Sequence, residues 1–339
     1  MIKVGIIGGT GYTGVILAGI ILRHPEAKLA WVTSESHKTE KLSEVYPHLS
    51  AITDLVCDEP DLEKLAAGTD VVFSALPNGM AMKFAGNILA AKAKFIDLSA
   101  DFRFKKAEVF KEWYKMEHSD PSLLAKAVYG LPELENVKGA EIVANPGCYA
   151  TASILGLYPL VKEGLIETDS IIVDAKSGVS GAGKTLTDET HFSNCNEGIS
   201  AYKVATHRHT PEIEQKMGEG IKITFTPHLI PMTRGILSTI YGKAIKQIDE
   251  QKLIKIYKDI YKGKQFIRVL ENILPSTKYV YGTNYCDIAV KYDKRTNKII
   301  VLSAIDNLMK GASSQAVQNM NIICGLKESS GIEHIPVYP

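Results

Sequence analysis

The feature that most constrains this chain lies within its first two dozen residues. Ile2–Gly8 is a short β-prone run, and Gly9-Thr10-Gly11-Tyr12-Thr13-Gly14 follows it with the spacing G-x-G-x-x-G. Thr13–Arg23 then carries apolar residues at helical spacing. Glycine permits a tight turn and lets backbone N–H groups approach a pyrophosphate at the start of a helix. The strand before and the helix after separate a dinucleotide loop from a chance match, the competing reading being a plain tight turn. Gly8, Thr10, Gly11, Tyr12, Thr13 and Gly14 are therefore candidate cofactor contacts.

The first half of the chain continues that alternation. Lys28–Thr33, Asp70–Leu76 and Phe95–Leu98 read as strands, while Leu62–Ala67 and Ala81–Ala91 read as helices. Strands alternating with helices predict βαβ units and a parallel sheet. Beyond Ala150 the texture changes. Ile171–Ala175, Ile221–Pro227, Ile236–Ala244, Cys286–Tyr292 and Lys298–Ala304 are β-rich and seldom interrupted by helices, which predicts a second, largely antiparallel sheet. Ala150–Lys162, Thr210–Met217 and Leu253–Tyr261 would be helices on it, and Gly311–Ile323 is the last clear helix. The expected class is α/β: a Rossmann-type dinucleotide domain over residues 1–147 and an α+β domain over 148–307. The closing segment, from about 308 to 339, would return to the first domain.

An NAD enzyme places Asp or Glu at the end of the second strand, to bind the ribose hydroxyl. Here Thr33-Ser34-Glu35-Ser36-His37-Lys38 stands there. Ser34, Ser36 and Lys38 suit a 2′-phosphate and favour NADP, although Glu35 is an awkward neighbour and an ordinary polar loop competes. Composition excludes other partners. A net charge of +1 offers no field for nucleic acid or an anionic membrane, and no apolar run is long enough for a membrane span. There is no leader-like start, and five scattered cysteines lack zinc spacing, so a reducing cytoplasm and no metal are expected.

Chemistry concentrates at one cysteine. Ile142–Thr151 reads strand, turn, helix, with Pro146 and Gly147 ending the strand and Cys148 in the first helical turn. Unpaired N–H groups and the positive dipole end favour thiolate there, as a nucleophile requires. His207-Arg208-His209 precedes a helix for which Thr210 is the expected N-cap and Pro211 the first residue. An extended approach would put His207 and His209 on one side and Arg208 on the other, and either imidazole could act as acid or base. Gly178–Thr185 also fits the Walker pattern G-x-x-x-x-G-K-[ST], which would make the chain an NTPase. The following Leu186–Gly198 is polar without an apolar stripe, so a flexible substrate loop is the better reading.

Taken in order, GGTGYTG, SADFR (Ser99–Arg103), YGLPEL (Tyr129–Leu134), NPGCYAT (Asn145–Thr151), SGVSGAGK (Ser177–Lys184), HRHTPEI (His207–Ile213) and AIDNLMKG (Ala304–Gly311) span the chain. Together they resemble the semialdehyde dehydrogenase family in its arginine-pathway branch. The resemblance implies NADPH-dependent reduction of N-acetyl-γ-glutamyl phosphate to the semialdehyde and phosphate, by a homo-oligomer, dimer or tetramer. It implies Cys148 as nucleophile, His207 as acid/base with His209 the fallback, and Asn307 near the nicotinamide. Arg103, Ser177, Gly178, Arg208 and Arg234 are candidates to hold the substrate. Lysine-branch or aspartyl phosphate reductases are the near alternatives; Pro146 and Tyr149 favour the arginine branch. An NADP-sensing regulator is the distant one, but it would need neither the cysteine elbow nor the histidine pair.

Overall fold

The computed structural model of the protein describes residues 1–59, 61 and 65–338. Leu62–Lys64, at the start of the helix expected over 62–67, lie outside these. The chain divides into two compact units. One is Met1–Gly147 with Ala312–Glu333; the other is Cys148–Gly311 with the residues from His334 onward.

The first unit is built on a seven-stranded sheet. Its strands are β1 (Ile2–Ile7), β2 (Ala27–Thr33), β3 (Cys57–Asp58), β4 (Val71–Ser74), β5 (Lys94–Asp97), β6 (Ala127–Tyr129) and β7 (Ile142–Ala144), in the order β3-β2-β1-β4-β5-β7-β6. All pairings are parallel. Val4, Ile6, Val71, Val72 and Phe73 are wholly buried. Such unbroken apolar runs are what a parallel sheet covered on both faces requires. The order reverses between β1 and β4, and at such a point the strand ends open a crevice for ligands. The Ser313–Ile323 helix packs in this unit against the Tyr12–Leu22 helix. Its interior contacts are polar: His24 Nε2 lies 3.0 Å from Asn321 Oδ1, and Asn319 Nδ2 donates to Gly130 O at 2.9 Å.

The second unit holds the other seven strands. They are β8 (Ile171–Gly178), β9 (Ser200–Ala201), β10 (Ile223–Ile230), β11 (Ile236–Lys243), β12 (Ile267–Val269), β13 (Cys286–Asp293) and β14 (Lys298–Ile305), in the order β12-β13-β14-β11-β8-β10-β9. Most pairings are antiparallel, but β8–β10 and β12–β13 are parallel. Ile236, Ser238 and Ile240 are buried, and Leu237, Thr239 and Tyr241 are only half-buried. That alternation marks a sheet with one face covered, here by the helices Cys148–Lys162, Thr210–Met217 and Glu250–Ile260.

One local expectation is corrected. His209, not Thr210, caps the Thr210–Met217 helix, and no side-chain hydrogen bond closes that end. His209 already has a helical backbone, and its N–H donates to His207 Nδ1 at 3.1 Å. The approach is therefore a turn, not an extended strand. No helix among the described residues is long and apolar enough to cross a membrane.

Candidate active site

In the first unit the glycine loop runs from β1 into the Tyr12–Leu22 helix. The left-handed turn of this loop falls at Gly8 (φ +82°), just ahead of the G-x-G-x-x-G run. Gly11 caps the helix, whose first turn holds no acidic residue. A Cβ on Gly14 would stand 2.2 Å from Gly8 O, so only glycine lets the helix close on the turn. Tyr46 Oη donates to Thr10 O at 2.7 Å, and the Thr10 and Ser34 hydroxyls are 2.7 Å apart. Ser34 is thus buried inside the loop's own scaffold, while Ser36 and Lys38 are exposed. Lys38 Nζ lies 3.4 Å from Glu35 Oε1 on the surface, and such an exposed pair is weak enough to yield to a stronger anion.

A second feature of this unit escaped the sequence. Gln315 is wholly buried, and neither its amide nitrogen nor its oxygen has a hydrogen-bond partner. A buried amide left unsatisfied is costly, and a carboxamide-bearing ligand would answer both atoms. The glycine-cleared backbone cradle, the helix start without an acidic residue and this amide together fit a nicotinamide dinucleotide. Only the run of polar residues in the Ser313–Ile323 helix could have signalled it.

In the second unit Cys148 is the first residue of its helix, again with no acid in the first turn. It is half-buried, whereas Cys57 and Cys286 are buried. Burial, with Glu40 and Asp58 nearby, raises the Cys57 pKa, and burial pushes Cys324 up to about 11. A Cβ on Gly311 would stand 2.8 Å from Cys148 Cβ and 2.5 Å from Asn307 O. Gly311 is what allows the Asp306–Gly311 loop to lie against the cysteine.

Beside it stands an aromatic cage around His207. Its ring meets Phe225, Tyr149 and Tyr202 edge-on at centroid distances of 5.2, 5.6 and 5.6 Å, and His209 at 4.7 Å. Tyr202 Oη donates to Tyr149 Oη at 3.2 Å, and Tyr149 Oη donates to His228 O at 3.1 Å. Burial raises the pKa of both phenols, so they stay neutral. Burial first, then the charges of His209, Lys203 and Arg208, push His207 down to about 2, with Glu212 opposing. His207 is consequently a neutral imidazole at any working pH. Tyr202 belongs to the cage but carries no motif of its own; only its closeness to His207 in sequence pointed to it.

The remaining candidates separate by their partners. Half-buried Arg234 forms an ion pair with the buried Asp306, Nη2 to Oδ2 at 3.0 Å. Asp306 in turn accepts from the N–H groups of Leu308 and Gly282 at 2.9 and 2.8 Å. Asn307 Oδ1 accepts from Gly235 N at 2.7 Å and its Nδ2 donates to Ser180 Oγ at 3.1 Å, so its amide staples two loops together. Ser177 Oγ donates to Gly178 O at 3.0 Å, at the end of β8. In the first unit, Arg103 donates to Asn145 O and Leu98 O, both at 2.8 Å. Arg208 lies between the two imidazoles in sequence, and its charge bears on His207. After the Walker-like loop come only short, exposed helical turns, Asp188–Thr190 and Phe192–Cys195. No packed helix begins there to complete a phosphate-binding loop.

Comparison with known proteins agrees in both units. Residues 3–141 match the semialdehyde dehydrogenase NAD binding domain, and residues 148–307 match the semialdehyde dehydrogenase dimerisation domain. The N-acetyl-gamma-glutamyl-phosphate reductase of Pelotomaculum thermopropionicum is 52% identical over 100% of this chain and 99% of its own. That of Desulforudis audaxviator is 52% identical over the whole of both chains. Among solved structures, aspartate semialdehyde dehydrogenase II of Vibrio cholerae, complexed with ASA, superposes with a TM-score of 0.72 at 16% identity, covering 95% of this chain and 98% of that one. The enzyme from Francisella tularensis gives 0.67 at 15% identity over 95% and 99%. At that identity the likeness speaks for the fold alone. With both domains matched and half the residues shared along the full length, this chain belongs to the semialdehyde dehydrogenase family.

Proposed function

We propose that this chain reduces N-acetyl-γ-glutamyl phosphate to N-acetyl-L-glutamate 5-semialdehyde and phosphate, with NADPH as the reductant, in arginine biosynthesis. The observation that carries the chemistry is a half-buried cysteine at a helix start, in one unit with a desolvated, neutral histidine. Cys148 attacks the acyl carbon as thiolate and phosphate leaves, so a thioester forms on its sulfur. Reduced nicotinamide, when bound, supplies the hydride that turns the thioester into a thiohemiacetal. Gly8, Gly11 and Gly14 would hold its pyrophosphate, Gln315 its carboxamide, and Ser36 with Lys38 the 2′-phosphate. His207, uncharged in its cage and with Nδ1 already accepting the His209 N–H, carries its proton on Nε2 and hydrogen-bonds through it to the oxyanion that hydride addition leaves on the thiohemiacetal, which collapses to aldehyde and thiolate. His209 orients that ring through its N–H on Nδ1. The half-open sheet face of the second unit, with Ile172, Leu237 and Tyr241, is where a second copy would pack.

The test runs the reaction backwards. Phosphate-dependent reduction of NADP is followed with N-acetylglutamate semialdehyde, beside the aspartate and aminoadipate analogues. We expect turnover with the acetylated substrate and preference for NADP over NAD. Faster turnover of either analogue would reassign the substrate, and equal use of NAD would remove Ser36 and Lys38 from the cofactor site.

A further inference from the structure

Asp101, in the loop that follows β5, takes no part in the reaction as described. It is wholly buried, and both of its carboxylate oxygens are engaged. Oδ1 accepts from Gly79 N at 2.7 Å and Oδ2 accepts from Met82 N at 3.1 Å. The grip is returned from the other side, where Asn78 Oδ1 accepts from Ala100 N at 3.0 Å. These hydrogen bonds tie the loop that follows β4 to the loop that follows β5.

Asp101 is itself braced from behind, at its main chain. Its N–H donates to Ser99 Oγ at 3.2 Å, and Ser99 Oγ donates to Asp97 Oδ2 at 2.7 Å. Its carbonyl oxygen lies 2.9 Å from Nε2 of the buried His118. Nδ1 of that ring accepts from Asp120 N at 3.2 Å, so Nε2 carries the proton and donates to Asp101. What the bracing fixes is one wall of the crevice at the strand ends. Ala75, the first residue after β4, lies so near the glycine turn that a Cβ on Gly8 would stand 2.8 Å from Ala75 O. Ala75 and Leu76 are half-buried and Pro77 is exposed, so this loop offers surface there.

In a Rossmann-type crevice the adenosine ribose lies at the end of the second strand and the pyrophosphate at the start of the first helix. The nicotinamide half then extends across the switch point, toward β4 and β5. We infer that Asp101 is a positioning residue for that half: through the main chain of Gly79 and Met82 it holds residues 75–80 as the wall on which the nicotinamide side of the dinucleotide rests. This rests on the dinucleotide reading of the first unit. Asp101 touches no ligand itself. Removing its carboxylate leaves buried N–H groups without an acceptor and frees the wall to shift. The adenosine side has hydrogen bonds of its own, between the Thr10 and Ser34 hydroxyls and from Tyr46 Oη to Thr10 O, and these do not pass through Asp101.

The experiment titrates full-length wild type, Asp101→Asn and Asn78→Ala with NADPH and, separately, with 2′,5′-ADP, its adenosine half. In Asp101→Asn an amide N–H₂ replaces one acceptor oxygen, so one of the two buried hydrogen bonds is lost. We expect the Kd of NADPH to rise roughly 10-fold. Asn78→Ala loses only the returning bond, from a half-buried side chain, and should raise it roughly 3-fold. The Kd of 2′,5′-ADP should stay at the wild-type value in both. Equal weakening of the two compounds would show a general loosening of the unit, a merely structural role, and would overturn the inference. So would NADPH bound by both variants as tightly as by wild type. If Asp101→Asn does not fold, Asn78→Ala decides by the same comparison. Wild type that binds neither compound overturns the dinucleotide reading and the inference with it, whereas failure of the inference alone leaves wild-type binding of both intact.

Discussion

The two units use the same electrostatic device in opposite ways. In each, a buried strand turns through glycine into a helix whose first turn holds no acid. The helix from Tyr12 presents bare main chain, because Gly8, Gly11 and Gly14 remove every side chain that could stand before it. The helix from Cys148 presents a side chain, and the glycine that clears it, Gly311, comes from a distant part of the sequence. A positive helix end would thus serve as a cradle for a bound phosphate where nothing stands in it, and favour a thiolate where a cysteine does. What distinguishes them is steric, which makes the comparison open to single substitutions.

The largest effect should come from taking the sulfur away. Cys148→Ser is expected to abolish phosphate-dependent aldehyde oxidation while leaving NADPH binding and folding intact. A hydroxyl has a far higher pKa than a thiol, and a helix end contributes at most about 2 kcal/mol toward closing that gap. Normal turnover in the serine variant would mean that no thioester forms and that the second helix is only another cradle. Next is the imidazole. His207→Asn should lower kcat by roughly 10²–10³, the usual contribution of one oxyanion donor, with His209→Asn doing less. Kinetics that reverse this order would exchange the two roles.

The glycines sharpen the contrast further. Gly14→Ala places a Cβ 2.2 Å from Gly8 O, against rigid main chain, and should weaken both cofactor binding and the first unit. Overpacking of that kind costs about 1–3 kcal/mol. Gly311→Ala meets Asn307 O and Cys148 Cβ instead, so its loss should fall on acylation and spare cofactor affinity. Fluorescence titration of NADPH together with burst alkylation of Cys148 would read both. Identical defects in the two variants would mean that the helix ends are not independent.

What the sequence made legible was local. Both strand–turn–helix joints, the parallel alternation, the largely antiparallel second sheet and the histidine pair are readable from short local runs. The error is local too, but finer than a pattern resolves. His209 displaces Thr210 as cap because a ring nitrogen of His207 captures its N–H. What stayed hidden depends on contacts between segments far apart. Asn307 looks like a free amide in AIDNLMKG, yet Gly235 and Ser180 hold both ends of it. Gln315 looks like one more polar helix residue, yet it is the amide left without partners.

The smallest expected effect concerns stability against pH, and it too has opposite signs in the two units. His207 in the folded chain has a pKa near 2, depressed chiefly by burial and then by the charges of His209, Lys203 and Arg208. Between that value and the ordinary histidine value, about 6.5, the unfolded chain binds a proton that the folded chain refuses. The stability that goes with the neutral ring is complete above about pH 6.5 and is lost as pH falls, by about 1.4 kcal/mol per unit. Asp97 behaves the other way. Burial first, then Asp101, raise its pKa, against its hydrogen bonds from Ser99 and the charge of Arg103. The folded chain there keeps a proton that the unfolded chain gives up, so the first unit loses stability as pH rises above the ordinary aspartate range and regains it on acidification. Between pH 7 and pH 5 the two groups oppose each other, and wild type should show a shallow slope. His207→Asn removes one side of the balance and should gain about 2 kcal/mol relative to wild type at pH 5 compared with pH 7. Asp97→Asn keeps an oxygen for Ser99 but cannot ionise, and should shift the profile in the opposite sense. Denaturant unfolding of the three proteins at both pH values decides it: parallel pH dependence in all three would mean that neither buried group controls its unit.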